Sequence, residues 1–186
     1  MLEMEGLVST RPGRNGGSIA RRPGPAGISR SLATYVRGQD VSFAAVLEAR
    51  EALEPALAAL AAQHRSADDI RALEHASAAM ACVGDNAEFI VANTHWHWTV
   101  AQASHNPVLV SIMGAIGELL HQSNVERFIS REVRRAVVRA HARIEAAIRQ
   151  GDPEAARRRM ARHLASYREQ VTPVAPDCIS IELPGS

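Results

Sequence analysis

Ser130-Arg-Glu-Val-Arg-Arg-Ala-Val-Val-Arg-Ala-His-Ala-Arg-Ile-Glu-Ala-Ala-Ile-Arg-Gln-Gly-Asp-Pro153 carries a complete helix with its start, its stop and the start of the next. Val133, Val137, Ile144 and Ile148 recur at helical spacing, so one stripe of this segment is apolar and the rest is charged. Ser130 is an N-cap, because its hydroxyl can accept a backbone N–H that the first turn leaves unpaired. Gly151 stops the helix, since glycine takes the left-handed conformation that most often ends one. Asp152-Pro153 restarts the chain with an N-cap and a proline at the first helical position, where the missing N–H costs nothing. The same punctuation runs through the rest of the sequence. A helix from Pro153 to about Val171 carries the stripe Ala156, Met160, Leu164, Tyr167 and Val171. Asn106-Pro107 opens a helix that fades near Asn124, and Asp85 opens one to about Ser104. Ser66 with Asp69 caps a helix to Cys82, ended by Gly84. Helices over Ser42 to Gln63 and Ser29 to Arg37 complete a set of about seven. The expectation is an all-α fold, an antiparallel bundle of six or seven helices.

Length and composition agree with that. The 186 residues suffice for one packed domain and a modest appendage. Apolar residues make up 46% and aromatic ones only 4%, which favours close-packed helices over a sandwich of sheets. The formal net charge of +1 gives no global field toward nucleic acid or an anionic membrane, so partners must be argued locally. Cys82 and Cys178 match neither a disulfide framework nor a cysteine metal site. No apolar run approaches the length of a membrane span and no secretory signal is present, so a cytoplasmic protein is expected. Residues 1–23 read as a helical scrap stopped at Gly6, then two short strands, Leu7 to Ser9 and Ser18 to Ala20, turning at Gly16-Gly17. That piece is too small to bury a core of its own. Residues 24–28 are a linker, 29–171 the helical domain, and 172–186 a tail with one short strand between Cys178 and Leu183.

The chemistry-bearing residues are histidines. In Asn93-Thr-His-Trp-His97, Asn93 and His97 lie one turn apart and share a face with Phe89 and Ala101, whereas His95 points about 200° away from His97. His141 falls inside the stripe between Val137 and Ile144, and His163 falls beside Met160 in the last one. Two readings stand for three inward imidazoles on three helices: hydrogen-bonded core residues, or ligands gathered around a divalent metal inside a bundle. A hydrolytic metal centre is a further alternative, but it needs a general base. HExxH is absent, and Glu145 and Glu169 lie off the stripes. No GxSxG, Walker loop or dinucleotide fingerprint occurs, so no catalytic residue is assigned. Arg157-Arg-Arg159 reads as a solvated face.

These residues resemble a known family. Asn93 to Leu109, with His97 and Ala103-Ser-His-Asn-Pro107, is similar to the signature of the C-terminal effector domain of GntR-type transcription regulators, the FadR C-terminal or FCD group. Leu47-Glu-Ala-Arg50 with Leu53-Glu54, then His141 ahead of Ala147-Ile-Arg-Gln-Gly-Asp152, then Met160-Ala-Arg-His-Leu164 follow in the family's order, and the match covers about Ser29 to Val171. The resemblance implies a helical bundle in which an aspartate and three histidines hold a divalent metal, zinc or alternatively nickel, that a carboxylate-bearing metabolite completes. The ligands would be His97, His141 and His163, with Asn93 at the aspartate position. An amide oxygen can coordinate but carries no charge, leaving the site one unit more positive. Arg50 would face the effector, although Glu54 one turn on could instead hold it in a surface ion pair. Residues 1–23 look like the end of a recognition helix and the wing of a winged helix-turn-helix. Arg11, Arg14, Asn15 and Gly16 would then meet DNA, and the rest of that domain would precede Met1. The implied protein is a homodimeric regulator binding operator DNA and a small organic acid, with a DNA-incompetent sensor fragment as the alternative.

Overall fold

The computed structural model describes residues 8–11, 13, 16–20, 27, 31, 34, 35, 38, 39, 41–121 and 129–172. Six helices form the body: α1 (Phe43–His64), α2 (Ala67–Cys82), α3 (Asn86–Ala103), α4 (Pro107–His121), α5 (Arg131–Gln150) and α6 (Pro153–Val171). Before them β1 (Val8–Arg11) and β2 (Gly17–Ala20) pair antiparallel, Val8 opposite Ala20 and Arg11 opposite Gly17. The turn lies earlier than expected. Gly16 donates its N–H to the carbonyl of Gly13 at 2.8 Å and Gly17 already belongs to β2. A seventh helix over Ser29 to Arg37 and a strand within Cys178 to Leu183 fall largely or wholly outside the described residues.

Each helix begins where a side chain can pair an N–H that the first turn leaves free. Ser42, Ser66, Asp85, Ser130 and Asp152 accept from Ala45, Asp69, Glu88, Val133 and Ala155, and Asn106 Oδ1 accepts from Val108 and Leu109. Ser66 and Asp69 close a full capping box, with Asp69 accepting in return from the Ser66 backbone at 2.7 Å. Gly151 ends α5 at φ 70°, and His105 takes φ 54° in the tight corner between α3 and α4. A left-handed histidine is uncommon, and this one is held from outside by Asp69 Oδ2, 2.8 Å from its Nε2.

α6 packs most extensively against α1, and α5 lies beside it. Two apolar clusters fill the interior. One includes Leu47, Ile90, Val137 and Tyr167, the other Val100, Ile144, Met160 and Leu164. Along α5, His141 lies between Val137 of one cluster and Ile144 of the other, and Asn93 and His97 on α3 and His163 on α6 are likewise buried among apolar neighbours. A buried polar layer thus interrupts the apolar faces of α3, α5 and α6.

The capping box makes two predictions. Ser66→Ala should lower the unfolding free energy by about 1 kcal/mol, read from the urea midpoint. Burial alone would raise the Asp69 pKa, but bonds from the Ser66 hydroxyl and backbone and from His105 bring it below 3.8. Its contribution is therefore present above that value and lost as pH falls through the lower folded pKa. In Asp69→Asn the loss of thermal stability below about pH 4 should be shallower than in the parent chain.

Candidate metal and effector centre

His97 on α3, His141 on α5 and His163 on α6 have nitrogen atoms that all lie within 4.8 Å of one another, and all three rings are buried. Ring centroids are 4.7 Å apart for His141 and His163, 4.8 Å for His97 and His141, and 5.5 Å for His97 and His163. Nε2 of His141 faces Nε2 of His163 at 3.1 Å. In the free chain one ring donates to the other. Two tetrahedral ligands at zinc–nitrogen distances of about 2.0–2.1 Å lie about 3.3 Å apart, so a slight opening of this 3.1 Å contact separates it from a pair of metal ligands.

Protonation favours the same use. Burial drives the pKa of His163 down to about 3 and that of His141 well below its usual range, with the neighbouring histidines and Arg50 adding to the effect. Burial also lowers His97, against the opposing charge of Glu54. All three imidazoles are neutral at pH 7, the form that binds metals.

The cluster rests on a buried ion pair. Arg50 Nε donates to Glu54 Oε1 at 2.5 Å across one turn of α1, and Glu54 Oε2 lies 2.5 Å from His97 Nδ1. Both charged residues are 2% exposed, so Arg50 takes part in an ion pair with Glu54, but in the core rather than on the helix surface. The Glu54–His97 contact is close but off the line of a hydrogen bond, leaving Glu54 Oε2 and both His97 nitrogens without a hydrogen-bond partner. Burial would raise the Glu54 pKa, yet Arg50 and His97 hold it at about 2. Because His97 is itself neutral, Arg50 is the counter-charge that matters. A carboxylate charge this close to Nδ1 electrostatically favours the proton on that nitrogen, the tautomer that leaves Nε2 as the acceptor metal-binding histidines usually require.

Asn93 lies one turn before His97 on the same buried face, and its Oδ1 has no hydrogen-bond partner. An orphaned buried amide oxygen is costly, and a cation or ligand donor would relieve it. Trp96 stacks on His141 with centroids 3.6 Å apart and planes at 12°, which fixes that ring's attitude. Its indole N–H donates to Ser77 Oγ at 3.0 Å, and Ser77 donates to Glu145 at 2.5 Å. Glu145 is thus buried but turned toward α2 and Arg149. Of the residues expected at the wing, Arg11 is exposed and paired with Gly17, and Gly16 is in the turn. Arg14 and Asn15 lie outside the described residues. Glu54 and Trp96 were not expected at the site. The i,i+4 spacing of Arg50 and Glu54 was the available signal for the first, and it did not indicate which way the pair faces.

Six helices packed around a buried histidine cluster define an all-helical domain. Residues 45–166 match the FCD domain, and the chain belongs to that family, as a GntR-family protein of the FCD type. It is 27% identical over 172 residues to YcbG, an HTH-type transcriptional regulator of Bacillus subtilis (strain 168), spanning 91% of this chain and 70% of YcbG. The fold is similar to that of a Streptococcus agalactiae GntR protein, with TM-score 0.64 at 21% identity over 90% of this chain and 77% of the other. It is also similar to Lar of Listeria monocytogenes, described as controlling the agr system, with TM-score 0.62 at 19% identity over 93% and 76%.

If the ion pair anchors the site, Glu54→Leu should cost about 3–5 kcal/mol, because it strands the Arg50 charge in the core. The double change Arg50→Met with Glu54→Leu should recover most of that in urea unfolding. A double variant as unstable as the single would show that the pair is not what the core depends on.

Proposed function

We propose that this chain is the sensing part of a GntR-type transcription regulator responding to a small carboxylate-bearing metabolite at a divalent metal, zinc or alternatively nickel. The observation that carries this reading is the buried cluster of three neutral imidazoles, with the His141 and His163 Nε2 atoms 3.1 Å apart. His97, His141 and His163 would hold the ion, with Asn93 Oδ1 as the neutral fourth donor. A bound ion would supply a Lewis-acid position for a carboxylate oxygen. Arg50 engages Glu54 through Nε, leaving its terminal nitrogens clear of that contact for the effector's charge. Trp96 and Glu54 orient two of the three rings.

The likeness to transcriptional regulators supports the DNA half of the reading. Residues 1–23 would be the end of a recognition helix and the wing, with Arg11, Arg14, Asn15 and Gly16 toward DNA. Residues 24–28 would link them to the sensing domain at 29–171, followed by the tail at 172–186. The regulator would act as a cytoplasmic homodimer on operator DNA. Among the described residues no helix is long and apolar enough to cross a membrane.

Elemental analysis of protein purified without chelator should find about one divalent ion per chain, lost in the double variant His97→Ala with His163→Ala. Full occupancy in that variant would sink the site. Asn93→Asp should tighten zinc binding by restoring a charged donor, measured by competition with a chromophoric chelator. For the wing, Arg11→Ala should weaken duplex binding about equally for all sequences and lower the salt slope by about one.

A further inference from the structure

A groove of about 350 Å3 runs between α5 and α6, and His163 lies in its wall. Its rim carries Arg139 and Arg143 from α5 and Arg159 and Arg162 from α6. The whole chain has a net charge of only +1, so four guanidinium groups around one groove are a local concentration. No acidic side chain lines it, and among the described residues none of the four takes part in an ion pair. Arg159 is pinned across the groove by donating to the carbonyl of Arg143 at 2.5 Å, while Arg139, Arg143 and Arg162 face solvent. His163 is 7% exposed, and its Nε2 points at His141. One ring thus forms both the groove wall and part of the histidine cluster.

From this arrangement we infer that the α5–α6 groove is an anion subsite continuous with the histidine cluster, taking a small molecule that bears two or more oxyanion groups. One group would be read at the cluster and another by the arginine rim. The inference rests on the effector reading above and deepens it, since a single carboxylate would need only the cluster and Arg50. Guanidinium forks match carboxylate and phosphate oxygens alike, and concave walls of one sign concentrate small ions of the other. The volume suits a small metabolite.

The test uses the full chain, chelator-treated and desalted, in isothermal titration calorimetry at low ionic strength. The probes are propane-1,2,3-tricarboxylate, 2-phosphoglycolate and acetate. The two polyanions should bind saturably at about one per chain, the tighter naming the preferred oxyanion, and acetate should not saturate. Arg143→Ala with Arg162→Ala, both exposed positions, should weaken polyanion binding by about tenfold or more while zinc uptake stays unchanged. Equal binding by variant and parent, or no saturable binding by either, would overturn the subsite. Arginine-dependent binding of a duplex DNA without polyanion binding would also overturn it and assign this face to nucleic acid. The two readings fail separately. Arginine-dependent polyanion binding in a chain that takes up no zinc would leave the subsite and remove the metal, and zinc uptake without polyanion binding would do the reverse.

Discussion

The histidine cluster depends on a charge that the bundle could not hold alone. Glu54 sits in the core with its carboxylate ionised, and it does so because Arg50, one turn earlier on α1, lies against it. Two buried charges are expensive to desolvate, and a pair of apolar side chains of like volume would often be as stable. What the pair adds is direction. With Oε1 engaged by Arg50, Oε2 is presented to His97 Nδ1, and the acceptor nitrogen of that ring turns away from the carboxylate. The charge next to the His97 ring is thus set from a different helix, through two contacts.

Around that anchor the polar layer is braced by stacking and by hydrogen bonds rather than by further charge. Trp96 fills the second apolar cluster and lies flat on His141, so the fit of a large hydrophobic ring also sets the plane of an imidazole. Its N–H is satisfied by Ser77, which in turn occupies Glu145, keeping that carboxylate away from the histidines. Among the described residues Glu54 is the carboxylate in contact with the rings, and its Oε1 is taken by Arg50.

Much of this was legible from periodicity. Val137, His141 and Ile144 announce an inward histidine because a 3.6-residue repeat puts them on one face, and the caps at Ser66, Ser130 and Asp152 mark helix starts by side-chain chemistry that is local to the chain. Glu54 was hidden by the same rule. Spacing of four shows that Arg50 and Glu54 can meet, but burial depends on which face of α1 meets α6, and that is decided by packing between distant segments. The arginine rim was hidden for a related reason. Arg143 and Arg159 belong to different helices, and only the rotation of each about its axis brings them to one groove. The hairpin turn was misplaced slightly because Gly16-Gly17 looked like a two-residue turn, whereas the bond to Gly13 closes it earlier.

The position of His163 has a consequence for how the protein comes into being. It lies on the last of the described helices, and that helix docks chiefly on the first, so the cluster joins residues far apart in sequence to a helix held by the start of the bundle. A chain emerging from the ribosome exposes His97 and His141 before His163 exists. Neither can close a three-histidine site early, and two histidines on separate helices make a poor trap for a stray ion. Among the described elements the cluster is completed only once α6 docks, so any ion it takes up would act as a latch on a folded bundle rather than as a nucleus for an unfolded one.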